Sequence, residues 1–159
     1  MTKPVLVVTT RHTKEIEDRI DREYHARRAP GQSPFSQEKL LSAAEGADAL
    51  FITPADRLDS GFFEKVSRTV KIIATYSVGF EHIDLHGAVR RKIPVAYAPG
   101  VNSEATADIA MLLLLGASRR AYEAQELVRT GAWKPLSPGM LLGWQLGGKV
   151  LGILGMGQP

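Results

Sequence analysis

The sequence contains no cysteine, and that absence excludes disulfides, thiolate nucleophiles and cysteine-ligated zinc. Long apolar runs are also missing. The greasiest segment, Ile109 to Leu115, falls far short of the roughly 20 residues that span a bilayer, so no membrane partner is expected. The amino terminus passes almost at once into a strand-like run, without the longer apolar stretch and small-residue cleavage site of a secretory signal. A cytoplasmic location is the expectation. Charge excess is slight as well: 20 Lys and Arg against 17 Asp and Glu leave a net charge of +3. The isoelectric point near 9.3 comes from scattered basic residues, at Arg22, Arg27 and Arg28, at Arg90 to Lys92, and at Arg119 and Arg120. These read as solvated edges rather than a stripe that tracks phosphates, and nucleic acid is not an expected partner.

What is present describes an ordinary globular chain. Apolar residues make up 44% and charged residues 23% of its 159 residues. That length is enough for one well-buried domain but short for a two-domain enzyme.

Val5 to Val8 is a continuous β-branched and apolar run, the pattern of a parallel strand buried on both faces. Thr13 is placed to cap a helix with Ile16 and Ile20 on one face. A short strand around Tyr24 to Ala26 follows, and Ala29 to Pro34 is a loop by composition. Ser36 starts a helix with Leu40, Leu41 and Ala44 inward, ended by Gly46, and Ala49 to Ile52 reads as the third strand. Asp59 or Ser60 caps a helix carrying Phe62, Phe63 and Val66. Val70 to Ala74 is the fourth strand, Asp84 caps a helix through Arg91, and Ile93 to Ala96 is the fifth strand. Strand and helix alternating at this spacing imply right-handed crossovers and an α/β, doubly wound parallel sheet over residues 1–98.

Pro99-Gly100-Val101-Asn102 breaks the alternation. The next helix is apolar on both sides, with Ala105, Ile109, Leu112, Leu113 and Gly116 on one and Met111, Leu114 and Leu115 on the other, and it expects neighbours all round. A polar stretch from Arg119 to Lys134 continues it, Pro135 to Gly143 is irregular, and Lys149 to Leu154 reads as a sixth strand running into Gly155-Met156-Gly157. Residues 99–159 are therefore expected to be a hinge, a long helix, an arm and the first strand of a second domain that the chain begins without finishing.

Two stretches carry chemistry. Gly155, Met156 and Gly157, directly after a strand, supply two of the three glycines of a dinucleotide fingerprint, the first for a tight turn and the second so that backbone can approach a pyrophosphate. The third would be residue 160, with a ribose-binding acid roughly 20 residues further on. A bare Gly-x-Gly also serves as a plain strand-to-helix turn. The other stretch is Ala74 to Asp84. Ligands of an open parallel sheet sit outside the carboxyl ends of its strands, and this loop leaves such an end with a glycine where amides can face an anion. Ser77, Val78 and Gly79 are thus candidates to hold a carboxylate; alternatively, Gly79 merely turns the chain. His82 and His86 stand four apart, but no third ligand is near and no glutamate lies between them as in a zincin. Both read as surface or local packing, and no metal is expected.

In this order, Lys71 to Ala74, Ser77 to Asp84, Pro99 to Val101, Ala105 to Leu115, Gly131 to Trp133 and Gly148 to Gly157 resemble the D-isomer-specific 2-hydroxyacid dehydrogenases, most closely their glyoxylate and hydroxypyruvate reductase branch. The resemblance covers essentially the whole chain. It implies a flavodoxin-like substrate domain, a hinge near Pro99, and the start of a Rossmann domain for NAD or NADP. The implied substrate is a small 2-oxo or 2-hydroxy acid, and the implied intact enzyme is a homodimer. By position, the resemblance puts Ser77, Val78 and Gly79 against the substrate carboxylate, Thr106 beside the cofactor, and Gly155, Met156 and Gly157 at the pyrophosphate turn. A threonine early in a helix also often bonds nearby backbone, which is the structural alternative for Thr106. The family's arginine, glutamate and proton-passing histidine would all lie downstream. No catalytic residue is therefore expected within this chain, and the chain alone is expected to be inactive. Trp133 and Trp144 flank a segment similar to the family's dimer-forming arm; otherwise they pack a loop.

Two further readings stand beside this one. The chain is a non-catalytic remnant or the half-subunit of a split enzyme, a reading suggested by Pro159, where the family carries an aliphatic residue. Or it is a regulatory flavodoxin-like module. A receiver needs clustered acids at strand ends, whereas Val5 to Thr10 ends in threonines followed by Arg11, and fold analogy alone does not decide function.

Overall fold

A computed structural model of the chain describes residues 2–29, 35–135, 138–155 and 157. Its backbone divides into two units, Met1–Val101 and Asn102–Pro159. The first unit carries strands β1 (Val5–Val8), β2 (His25–Arg28), β3 (Ala49–Ile52), β4 (Ile72–Thr75) and β5 (Val95–Ala96), with helices α1 (Lys14–Glu23), α2 (Gln37–Ala44), α3 (Ser60–Lys65) and α4 (Leu85–Arg90) between them. Every pairing is parallel and the strand order is β2-β1-β3-β4-β5. This is the flavodoxin-like, doubly wound order, which reverses between β1 and β3.

Register explains the two layers of core. Val7 lies opposite Leu50, Leu50 opposite Ile73, and Ile73 opposite Val95, so one row of apolar side chains crosses the sheet on a single face. That face packs against Leu40 and Ala44 of α2, Phe62 and Phe63 of α3, and Ala88 of α4. The alternate residues Leu6, Val8, Ala49 and Phe51 face the other way and meet Ile16 and Ile20 of α1. The short α3 survives because Asp59 Oδ1 accepts from the Phe62 N–H at 2.9 Å, satisfying an otherwise orphaned donor. Ser36 caps α2 through the Lys39 N–H in the same way. Thr13 and Asp84 occupy their expected cap positions without a side-chain cap bond. Gly87 is held small by the core, since a Cβ there would stand 2.7 Å from Phe63 Cδ2.

Three strands differ from their sequence-read bounds, each for a backbone reason. The Tyr24 N–H is committed to Ile20 O at the end of α1, so β2 starts at His25, whose N–H reaches Pro4 O, and it runs on to Arg28. Val70 closes a turn onto Ser67 O, so β4 begins at Ile72. The Ile93 N–H closes α4 onto Ala88 O, leaving only Val95 and Ala96 for β5. The loop read over Ala29 to Pro34 lies, beyond Ala29, outside the described residues.

The second unit holds α5 (Ser103–Ser118) and α6 (Ala121–Arg129). The expected continuous helix past Arg119 is instead broken: Arg120 takes a left-handed conformation at φ 54° and the chain restarts as α6. No residue of α5 is buried, and Leu112 and Leu113 are 62% and 66% exposed. The sixth strand expected at Lys149 to Leu154 is not formed. A strand exists only through ladder partners, and among the described residues the only sheet is the five-stranded one of the first unit. Val150 accordingly stands 98% exposed.

Candidate functional site

The carboxyl ends of β1, β3 and β4 release three loops side by side, beginning at Thr9, Thr53 and Tyr76. Asp56 ties the first two together. It is 3% exposed, and its Oδ2 accepts from Thr9 Oγ1, from the Thr53 N–H at 2.9 Å and from Thr53 Oγ1 at 3.2 Å. A parallel bridge joins the second loop to the third: the Leu58 N–H donates to His82 O at 2.9 Å and the Asp84 N–H to Leu58 O at 2.8 Å. These cross-ties hold irregular backbone rigidly at the sheet edge.

The third loop carries the candidate anion site. Ser77, Val78 and Gly79 are half-buried. Ser77 O accepts from the Ala98 N–H at 2.9 Å and Ser77 Oγ donates to Gly79 O. Among the described residues, no group accepts from the N–H of Ser77, Val78 or Gly79. Three N–H groups in succession on these half-buried residues are donors available to a carboxylate. A Cβ at Gly79 would meet only the Glu81 carboxylate, the movable end of a flexible side chain. Beneath the loop, His82 Nε2 lies 2.8 Å from Thr75 Oγ1, and Thr75 Oγ1 lies 2.9 Å from Ser77 Oγ.

His12, on the β1 loop, stacks on Phe51 with ring centroids 4.6 Å apart and meets the edge of Tyr76 at 5.2 Å. Its Nε2 is buried without a partner among the described residues. Burial pushes the imidazole below the ordinary histidine value of 6.5, and the Glu17 carboxylate pulls it back only in part. The unfolded chain therefore binds more protons at this site. The resulting stability is fully present above about pH 6.5 and is lost as pH falls through the native value. His82 is lowered in the same direction, first by burial, against the raising pull of Glu81 and Asp56. His12→Phe, which keeps a ring over Phe51, is expected to flatten the loss of stability between about pH 7 and 5 in urea unfolding; an unchanged slope would contradict this.

The D-isomer specific 2-hydroxyacid dehydrogenase catalytic domain matches the chain over residues 5–134. The chain belongs to this family. It is 40% identical over 131 residues to the glycerate dehydrogenase of Hyphomicrobium methylovorum, covering 82% of this chain and 41% of that protein. It is also 40% identical over 162 residues to the glyoxylate reductase of Aeropyrum pernix, covering 99% and 48%. A solved protein from Polaromonas sp. JS6 66, assigned by its name to the NAD-binding D-isomer specific 2-hydroxyacid dehydrogenases, matches at 37% identity and TM-score 0.89, covering 98% of this chain and 49% of that one. The chain thus spans about half the length of these dehydrogenases or somewhat less.

The remaining sequence-read positions fall in the second unit. Thr106 is exposed in the first turn of α5; its N–H donates to Asn102 O at 2.8 Å, while its hydroxyl has no partner among the described residues. Gly155 adopts φ 92°, and nothing lies within 4 Å of where a Cβ would stand on it or on Gly157. Met156 lies outside the described residues. Trp133 and Trp144 are exposed, the latter under the Lys149 ammonium at 5.8 Å. His86 is exposed in α4, whereas His82 packs locally onto Thr75. Sequence reading passed over Thr75 and Asp56. Their one visible signal is a run of threonines at strand ends: Thr9, Thr53 and Thr75.

Proposed function

We propose that this chain is the substrate-binding part, with the hinge and the opening of the cofactor domain, of an NAD(P)-dependent oxidoreductase that interconverts a small 2-oxo acid and its D-2-hydroxy acid. Glyoxylate and hydroxypyruvate are the substrates in view. Residues 1–98 form the substrate domain and residues 99–159 the hinge, apolar helix, arm and first segment of a Rossmann domain. The observation that carries this reading is the row of three unpartnered amides at the carboxyl end of β4, where an α/β sheet binds its ligands.

Family membership supports the reading, and so does the naming of its relatives as glyoxylate reductase and glycerate dehydrogenase. In this reading Ser77, Val78 and Gly79 hold the carboxylate and so orient the 2-carbon. Thr106 and the Gly155-Met156-Gly157 turn would hold the cofactor, and the open space at Gly155 and Gly157 fits a pyrophosphate approaching backbone. When bound, the nicotinamide supplies or takes the hydride. The chain's own residues bind and orient; none of them moves the proton. The exposed apolar α5 agrees with a homodimer, since so large an apolar surface calls for a covering partner.

Titration of the isotope-labelled chain with glyoxylate is expected to shift the Ser77, Val78 and Gly79 amide resonances in a saturable way. Glycolaldehyde, which lacks the carboxylate, is expected to leave them in place. Equal shifts with both, or shifts only at other amides, would sink the reading.

A further inference from the structure

The hydroxyls beneath the loop form a relay whose direction follows from counting protons. The Gly79 carbonyl can only accept, so the single hydroxyl proton of Ser77 goes to it. Toward Thr75 Oγ1 at 2.9 Å, Ser77 Oγ can then only accept, and Thr75 is the donor. With its own proton so committed, Thr75 Oγ1 must accept from His82 Nε2 at 2.8 Å. The relay therefore runs from the His82 ring through Thr75 and Ser77 to the Gly79 carbonyl, and the ring proton sits on Nε2.

We propose that His82 is a positioning residue that acts through Thr75 and Ser77 to hold the Ser77–Gly79 loop in the shape that offers its amides to a carboxylate. This rests on the reading of that loop as the carboxylate site. Thr75 is a rigid intermediary, 4% exposed and paired in register with Ile52 as the last residue of β4. The final bond, from Ser77 to Gly79, spans the loop and occupies the carbonyl that would otherwise repel an anion. Donation into a chain of hydroxyls polarises each successive bond in the same sense, so losing the first donor leaves Thr75 and Ser77 free to turn away from the Gly79 carbonyl. The charged groups facing His82 are Glu81 and Asp56, and burial keeps the ring neutral at neutral pH despite them.

The test uses nitrogen-15 NMR of the chain near neutral pH. His82 is expected as the neutral tautomer with its proton on Nε2 and a bare Nδ1. The opposite tautomer would reverse the relay and overturn the proposal. His82→Phe is expected to speed hydrogen exchange at Ser77, Val78 and Gly79 and to weaken glyoxylate binding about fivefold or more, the worth of a lost hydrogen bond. His82→Gln restores an amide N–H donor and should keep affinity within about twofold. If the wild type binds glyoxylate and folded His82→Phe binds equally well with unchanged exchange, the positioning role fails while the carboxylate site stands. If the tautomer and exchange results hold but the wild type takes no glyoxylate at these amides, the positioning of the loop stands and the carboxylate reading fails. Should His82→Phe not fold, the wild-type tautomer and the His82→Gln affinity still decide.

Discussion

Phe62→Ala is expected to lower the stability of the first unit by about 3–5 kcal/mol, the range for deleting a fully buried aromatic ring. Phe62 is completely buried between α3 and the sheet and meets Phe63 edge-on with centroids 5.5 Å apart. Leu40, Leu50 and Ile73 are themselves buried and belong to the same cluster, so most of the ring's volume would remain as a cavity. Against a typical total of about 5–15 kcal/mol, the loss takes a large share. Thermal unfolding should move down by well over ten degrees, at about 4–8 °C per kcal/mol for a domain of this size. Val150→Ala, at a residue 98% exposed, is the control and should change stability by less than about 0.5 kcal/mol. A Phe62→Ala shift no larger than the control's would mean that this core is not packed as described.

The second large effect falls on binding. Gly79→Val is expected to reduce glyoxylate affinity at least about tenfold while changing stability by under about 1 kcal/mol. The two expectations separate because of what the new side chain meets. Its Cβ would displace the Glu81 carboxylate, the far end of a flexible side chain that can swing into solvent at little cost. The Gly79 backbone is not left-handed, so a branched residue is tolerated there. The branched side chain would nevertheless stand over the Val78 and Gly79 amides and block a carboxylate from close approach. Equal losses of stability and affinity would point instead to a glycine needed only for the turn.

How much of this is legible in the sequence depends on the range over which each feature is determined. β1 and β3 have the bounds that their apolar runs announce, Val5–Val8 and Ala49–Ile52, because a strand buried on both faces leaves an unbroken apolar signature. The short-range capping pattern narrows the cap of α3 to Asp59 or Ser60, and the folded chain uses Asp59. The ends of β2, β4 and β5 are not legible, because each is set by whether one N–H is already spent on closing the preceding helix or turn. Lys149 to Leu154 shows the converse error. Its sequence has strand propensity, but propensity supplies no ladder partner.

The site divides along the same line. A glycine just past a strand end made Ser77 to Gly79 visible, since both the turn and the strand are local. Thr75 and His82 are seven residues apart across a loop that is neither helix nor strand, so no periodic pattern pairs them, and only the folded loop brings the ring onto the hydroxyl. Asp56 and Thr9 are 47 residues apart and meet because the sheet order places β3 beside β1. No pattern within a single segment announces such a contact.

The central claim is that the Ser77–Gly79 amides hold a substrate carboxylate, and a crystal structure of the chain grown with glyoxylate tests it most directly. The carboxylate is expected within about 2.7–3.2 Å of the loop amide nitrogens, with the Ser77 hydroxyl still turned onto the Gly79 carbonyl. A carboxylate bound instead among the basic side chains of Arg90, Arg91 and Lys92, with the loop amides left bare, would contradict it.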